Sequence, residues 1–119
     1  MLAKTHLEKI LFVDDDPELR AIVAAALAQP GYSILTAADG YEAIRILADH
    51  RISLLITDVK MPGINGFDLA RQAKVMRPNI QIIYLSGYPI GSGHRVYGAV
   101  LKKPVRMGDL LAEVSGRLL

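Results

Sequence analysis

The chain has 119 residues, of which 51% are hydrophobic, and its 14 Lys and Arg against 12 Asp and Glu give a formal net charge of +2. This balance excludes a disordered chain and predicts one globular domain, residues 1–119. The absence of cysteine excludes disulfides and thiol chemistry, and no apolar run is long enough for a signal peptide or a membrane span, so we expect a cytoplasmic protein.

Short apolar runs alternate with segments whose apolar residues recur every three or four positions. This alternation predicts strands at 9–13, 32–36, 52–57, 80–85 and 99–101. It predicts helices from Pro17 to a stop at Pro30-Gly31, and at 39–50, 67–76 and 107–118. The four glycines and one proline within residues 87–98 predict that a further helix, between the last two strands, is short, displaced or absent.

Alternating strands and helices with short connections predict a doubly wound parallel sheet covered by about five helices, the fourth short or irregular. Basic residues are dispersed along this pattern. Arg71, Lys74 and Arg77 share one face of a predicted helix, which we interpret as a solvated face rather than a nucleic-acid surface.

Polar residues follow the predicted strands at their carboxyl ends, where ligands collect in sheets of this kind. They are Asp14, Asp15 and Asp16 after the first strand, Asp58 after the third, Ser86 after the fourth and Lys103 after the fifth. A carboxylate cluster is unfavourable unless a cation neutralises it, and Mg²⁺ with a phosphoryl ligand fits one or two carboxylates best. Asp58 is then the natural nucleophile, and Ser86 and Lys103 suit phosphoryl oxygens.

These residues carry a resemblance to a known family. The segments LFVDDDPELR, LLITDVKMPGINGFDL, IIYLSGY and VLKKP, in this order, resemble the response-regulator receiver domain of two-component signalling, as in chemotaxis receivers. The resemblance covers essentially the whole chain and implies a flavodoxin-like sheet with strand order 2-1-3-4-5.

The resemblance also implies roles for individual residues. Asp58 would accept the phosphoryl group, and Asp15, assisted by Asp14, would hold Mg²⁺ together with Asp58 and the backbone carbonyl of Lys60. Ser86 would hydrogen-bond the phosphoryl group. Lys103 would pair with that group, and the Lys103-Pro104 peptide bond would be cis. The implied partners are a histidine kinase or a phosphotransfer protein, and a downstream protein target.

The sequence departs from the family pattern in two places. Val100 stands where the family usually has an aromatic residue of its switch, and the segment between Ser86 and Lys103, which normally supplies much of the output face, is short. We hypothesise that Tyr97 substitutes sterically for the missing aromatic. Lys60, two residues after Asp58, is expected to have a modest effect on the lifetime of the phosphoryl group.

Two alternatives stay open. A haloacid-dehalogenase-type phosphatase would use an Asp-x-Asp pair, which Asp14 and Asp16 superficially form, but Pro17 interrupts that motif and Asp58 would have no role. A pseudo-receiver would keep the fold and bind partners without phosphorylation. The favoured hypothesis is a phosphoacceptor domain that catalyses only its own phosphorylation and dephosphorylation, with no output domain.

Overall fold

Five parallel strands form one sheet in the computed structural model, which describes residues 8–91 and 93–118. The strands are β1 (Lys9–Val13), β2 (Ser33–Ala37), β3 (Leu54–Asp58), β4 (Gln81–Ser86) and β5 (Ala99–Lys102). The helices are α1 (Pro17–Ala28), α2 (Gly40–Asp49), α3 (Gly66–Met76) and α4 (Met107–Leu118). The sheet order is β2-β1-β3-β4-β5, which confirms the predicted fold class and strand order.

Alternate residues of each strand point to opposite faces of the sheet, and both faces are apolar. On one face Leu11 and Val13 pack in a core with α2 and α3. On the other face Ile10 and Phe12 pack in a second core with α1 and α4. Burial on both faces explains why the central strands read as continuous apolar runs in the sequence.

The described part of the chain contains four helices, one fewer than the approximate number expected, because residues 87–91 and 93–98 form bends, a turn and irregular chain instead of a helix. The last part of this segment contacts both β4 and α3. The backbone N–H of Tyr97 donates to the Tyr84 hydroxyl oxygen over 3.2 Å, and the ring of His94 stacks on Phe67 at 4.1 Å between centroids. A segment built on four glycines loses too much backbone entropy in a helix to form one here.

The predicted solvated face is only partly correct. Arg71 pairs with Asp68 at the surface of α3, but Arg77 lies just beyond the last residue of that helix and is partly buried. Its guanidinium donates to the backbone carbonyls of Leu47 and His50, over 3.2 and 3.3 Å. Arg77 therefore fastens the end of α2 to the end of α3.

Candidate functional site

The carboxyl ends of β1 and β3 are adjacent, and the register of these strands sets the positions of two aspartates. Val13 is paired with Thr57, so the next residues, Asp14 and Asp58, leave the two strands side by side. Asp58 and Ser86 are the last residues of β3 and β4, one position further into the strands than the sequence pattern predicted.

Asp14 is fully buried, and three groups hold it in place. Its Oδ1 accepts a hydrogen bond from the backbone N–H of Asp16 at 2.9 Å, and its Oδ2 accepts one from Nζ of Lys103 at 2.9 Å. Its backbone carbonyl accepts a hydrogen bond from the guanidinium of Arg20 at 2.7 Å. The buried carboxylate is thus paired and fixed, as a charge removed from water must be.

Asp58 is 7% exposed, and Nζ of Lys103 lies 3.2 Å from its Oδ2. Burial raises the pKa of Asp58 above its usual range; the Lys103 ammonium opposes this rise, the neighbouring Asp14 adds to it, and the backbone N–H of Lys60 opposes it by hydrogen bonding. Burial acts to lower the pKa of Lys103, but the two aspartates outweigh it, and the net pKa of Lys103 is raised. Lys103 therefore stays protonated between two carboxylates.

Three carboxylates of this site are grouped tightly enough to share one cation. Asp14, Asp15 and Asp58 each offer an oxygen, and these oxygens lie within 4.8 Å of one another. Asp15 is exposed to solvent, so the cluster is open on one side. The cluster has three negative charges against the single ammonium of Lys103, and carboxylate oxygens are the donors that hard divalent cations prefer. The residues present fit Mg²⁺.

Asp16 does not belong to the cluster. Its carboxylate caps α1 by accepting hydrogen bonds from the backbone N–H groups of Glu18 and Leu19, at 3.0 and 3.3 Å. The Asp14 and Asp16 side chains therefore serve separate purposes, and the geometry gives no support to the Asp-x-Asp phosphatase hypothesis.

Ser86 is 6% exposed, and its hydroxyl is engaged with the loop that follows β4. Its Oγ donates to the backbone carbonyl of Tyr88 at 2.6 Å and accepts from the backbone N–H of Tyr88 at 3.2 Å. The backbone carbonyl of Ser86 accepts the N–H of Lys103 at 2.8 Å, which fixes the position of Lys103 relative to β4. The Lys103-Pro104 peptide bond is cis, as expected.

The remaining predicted residues surround this site. Val100 lies on β5 with 41% of its surface exposed, and Tyr97 is partly buried against the core shared with α2 and α3. The side chain of Lys60 is exposed, and its Nζ lies 5.0 Å from the centroid of the Tyr88 ring. Val100 is paired with Tyr84, which belongs to that same core, so Tyr97 and Val100 lie toward the same face of the sheet, and the substitution of Tyr97 for the missing aromatic stays a prediction.

Two contributors to the site were not predicted. Gly66, the first residue of α3, lies against the backbone of Asp58 and Val59, and a Cβ added to it would be 2.9 Å from the Cα of Val59. Its position in a turn-rich segment was visible in the sequence, but the close approach of two backbones was not. Tyr88 was visible only as part of the Ser-Gly-Tyr segment, and its contacts with Ser86 and Lys60 depend on the conformation of two loops.

The fold and this cluster define a class of phosphotransfer signalling domains, and comparison with known proteins identifies the family. The family model described as "Response regulator receiver domain" matches residues 10–115. The chain belongs to this family of receiver domains of two-component response regulators.

Relatives and solved structures agree with this assignment. The chain is 31% identical to the response regulator receiver protein CpdR of Brucella abortus over 119 residues, which is 95% of this chain and 98% of the relative. A CheY-like receiver domain from Methanospirillum hungatei superposes with a TM-score of 0.85 and 28% identity, over 94% of each chain. The response regulator TrrA from Thermotoga maritima, solved in complex with Mg(2+)-BeF, gives a TM-score of 0.80 and 29% identity over 93% of this chain and 99% of that one.

Several curated relatives are longer than this chain, and the matched part of this chain covers between 18% and 50% of their lengths. Within the part of the chain that the structure describes, no helix is both long and apolar enough to cross a membrane.

Proposed function

We propose that the chain accepts a phosphoryl group on Asp58 and passes the signal on by changing a surface that a partner protein recognises. The observation that carries this proposal is the contact of Asp58 with Lys103, 3.2 Å apart, inside a cluster that contains two more carboxylates. A carboxylate nucleophile beside a fixed ammonium is the arrangement needed to receive a group with three charged oxygens.

We assign Mg²⁺ to the carboxylates of Asp14, Asp15 and Asp58 and to the backbone carbonyl of Lys60. The fit rests on the three clustered carboxylates and their uncompensated charge. When bound, the ion neutralises part of the charge on the carboxylates and on the phosphoryl oxygens that approach them. The complex of TrrA with Mg(2+)-BeF supports the assignment, because that receiver has the same fold.

In the proposed reaction an oxygen of the Asp58 carboxylate attacks phosphorus. The bond between phosphorus and its previous carrier, a histidine nitrogen or the oxygen of a small phosphodonor, breaks, and its electron pair leaves with the carrier. Lys103 stabilises the negative charge on the transferred oxygens from its position between Asp14 and Asp58. Attack of water on phosphorus later returns Asp58 to its free carboxylate and releases inorganic phosphate.

Ser86 is the proposed hydrogen-bond donor to the phosphoryl group. It ends β4, the strand beside β3, and residue Asp58 is paired with Leu85 in that register. Ser86 is therefore one residue beyond the register position of Asp58, at the same carboxyl end of the sheet.

The proposed partners are a histidine kinase or a phosphotransfer protein as phosphoryl donor, and a protein target downstream. Relatives described as receiver proteins and as a sporulation phosphotransferase support a place in phosphoryl relay. We propose that the chain, residues 1–119, is one receiver domain that turns over only its own phosphoryl group and does not process a substrate repeatedly.

Intact mass measured after incubation with acetyl phosphate, with and without Mg²⁺, tests this function. We expect the wild type to gain the mass of one phosphoryl group only with Mg²⁺, and Asp58→Asn to gain nothing. Asp16→Asn is the matched control, because it removes a neighbouring carboxylate that caps α1 and an asparagine caps a helix equally well. This variant should be phosphorylated like the wild type.

The other outcomes are equally informative. A folded protein that binds Mg²⁺ but gains no mass would indicate a pseudo-receiver that works without phosphorylation. A gain that persists in Asp58→Asn would assign the nucleophile to another carboxylate, with Asp14 the first candidate.

A further inference from the structure

A cavity of about 500 Å³ lies at the amino ends of the strands, at the edge of the sheet opposite Asp58. The segments that precede β3 and β4 and the last turn of α4 line it. Its described lining includes three arginines, Arg51, Arg77 and Arg117, and one acidic residue, Glu8, and we call it the basic cavity. Its volume is in the range of sites that hold small molecules, about 300–1,000 Å³.

Arg51 lies in the connection between α2 and β3, and its charge is unpaired. Its side chain is exposed to solvent and makes no hydrogen bond or ion pair with another described residue. The next residue, Ile52, is buried, which holds the backbone of Arg51 beside the cavity. The guanidinium is therefore free to contact a ligand without breaking an existing bond.

Arg117 is held in place by two side chains. Its Nε pairs with Oε2 of Glu113 at 3.0 Å, and its Nη1 donates to Oε1 of Gln81 at 3.3 Å. These contacts fix the guanidinium beside the first residue of β4. Within the described residues they leave the hydrogens of Nη2 for another acceptor.

Arg77 uses only part of its guanidinium to fasten the end of α2. Its Nη2 donates to the backbone carbonyls of Leu47 and His50, where the partial negative charge of a helix end favours a cation. Its Nε is buried and has no hydrogen-bond partner among the described residues. A buried donor without a partner is unfavourable, so an acceptor that enters beside Arg77 would be favoured.

The charge of the basic cavity is suited to phosphate. Glu113 compensates Arg117, which leaves Glu8 as the acidic lining residue beside Arg51 and Arg77. A guanidinium group binds phosphate and carboxylate oxygens through two parallel hydrogen bonds. A phosphate group carries close to two negative charges and three acceptor oxygens, so one phosphate can contact two arginines, whereas a carboxylate has a single charge.

The rest of the lining combines apolar walls with polar side chains. Ile52, Met76 and Ile80 supply apolar surface, and Ser53 and Asn79 supply groups that form hydrogen bonds. Sites for organic ligands have this mixture of apolar surface and a few polar groups. A bare phosphate ion would leave most of this cavity unfilled.

We infer that the basic cavity binds a small phosphorylated organic molecule, with its phosphate on Arg51, Arg77 and Arg117. The site lies at the opposite edge of the sheet from the phosphoacceptor and uses none of its residues. The inference therefore goes beyond the proposed function and does not depend on it.

Titration calorimetry of the full chain with ADP and with pyrophosphate tests the inference. Divalent cations are first removed on a chelating resin, so that the carboxylates around Asp58 repel anions. We expect one ADP per chain, bound more tightly than pyrophosphate because the organic part covers apolar wall. Affinity for pyrophosphate equal to or higher than that for ADP would overturn the organic part of the inference. Binding of neither probe would overturn the site.

Arg51→Gln should weaken ADP binding about tenfold, since a hydrogen bond to a charged group is lost. The variant should fold normally, because Arg51 has no side-chain partner among the described residues. Arg45→Gln is the matched control: it removes the same charge from an exposed position on α2, outside the described lining. Equal weakening by both variants would indicate diffuse attraction to the net charge and would overturn the site.

Backbone amide chemical shifts locate the ligand independently of the variants. ADP should shift the amides of Ser53 and Asn79, which belong to the cavity, and leave those of Asp15 and Lys60 unchanged. Shifts confined to Asp15 and Lys60 would place the anion at the phosphoacceptor edge and would overturn the inference, with the proposed function unaffected.

Discussion

Nζ of Lys103 lies 2.9 Å from Oδ2 of Asp14, although the two residues come from opposite ends of the described chain. The same nitrogen lies 3.2 Å from Oδ2 of Asp58. The Lys103 ammonium thus forms ion pairs with two buried carboxylates, Asp14 and Asp58, which would otherwise repel each other. The charge balance of the site depends on this lysine when no divalent cation is bound.

Replacing Lys103 by methionine should therefore destabilise the Mg²⁺-free protein. Removing one partner of a buried ion pair leaves an uncompensated charge, and we expect a loss of about 3 kcal/mol in the free energy of unfolding. Chemical denaturation with a chelator present measures this loss. Lys102→Met is the control, because Lys102 is exposed, and it should change the stability little. Equal effects of the two substitutions would contradict the pairing.

Asp58→Asn should have the opposite effect on stability in Mg²⁺-free buffer, with a gain of roughly 1 kcal/mol at neutral pH. Burial raises the pKa of Asp58, so the folded state binds this proton more tightly than the unfolded chain does. The wild type therefore loses stability as the pH rises through the folded-state pKa. The advantage of Asp58→Asn should shrink as the pH falls and vanish below the ordinary value of 3.8.

Denaturation of wild type and Asp58→Asn at several pH values measures the difference in their free energies of unfolding. The same measurement with Mg²⁺ shows how much the ion stabilises each protein. Mg²⁺ should stabilise the wild type more than Asp58→Asn, since the variant lacks one of the three clustered carboxylates. A variant that is less stable than the wild type at neutral pH without Mg²⁺ would show that the charge of Asp58 is already fully compensated.

The strands and the site were largely predictable from the sequence because the same feature encodes both. A buried parallel strand is an apolar run, and the polar residue that interrupts it marks its carboxyl end, as Asp14 and Asp58 do. Topology then brings these ends together. The conformation of residues 87–91 and 93–98 was less predictable, since a glycine-rich sequence indicates only that a helix is disfavoured. The Tyr88 contacts depend on side chains from two separate loops, and no local pattern encodes them.

Gly66→Ala should disturb the site without removing any of its functional groups. The added Cβ would lie 2.9 Å from the Cα of Val59, so the backbone next to Asp58 must shift. We expect a loss of about 2 kcal/mol in stability and slower phosphorylation by acetyl phosphate. Gly116→Ala, in α4 with no atom within 4 Å of the added Cβ, should instead stabilise the protein by about 0.5–1 kcal/mol. Similar outcomes for both variants would contradict the close approach at Gly66.

Tyr84→Phe should make the protein less sensitive to alkaline pH. Burial raises the pKa of the Tyr84 hydroxyl above its ordinary value of 10.0, although the hydrogen bond from the Tyr97 N–H opposes the rise. A raised folded-state pKa means that stability is lost as the pH increases past 10.0. At pH 7 the variant should be about 1 kcal/mol less stable, because the Tyr97 N–H loses its acceptor.

The measurement is the difference in unfolding free energy between wild type and Tyr84→Phe at pH 7 and above pH 10. Other groups titrate in both proteins and cancel in this difference. If the difference in unfolding free energy stays constant from pH 7 to above pH 10, ionisation of Tyr84 does not destabilise the folded protein.

Lys60→Ala should change the lifetime of the phosphoryl group on Asp58 modestly, by about threefold or less. The Lys60 side chain belongs to the residue whose N–H hydrogen-bonds the Asp58 carboxylate, and its Nζ lies 5.0 Å from the centroid of the Tyr88 ring, so we expect it to slow the approach of water. Loss of phosphate from purified phosphorylated protein gives the rate directly. Lys74→Ala, on α3, is the control. Equal rates for all three proteins would exclude a role for Lys60.

The pairing of Val13 with Thr57 has a consequence for how the site and the fold depend on each other. Asp14 and Asp58 become neighbours only when β1 and β3 are joined in this one alignment, so the unfolded chain has no comparable affinity for a divalent cation. Folding and binding of the proposed cation are therefore thermodynamically linked, and the stabilisation of the folded state grows as the logarithm of the cation concentration. A distant core substitution that loosens β1 from β3 would weaken cation binding without touching a single ligand.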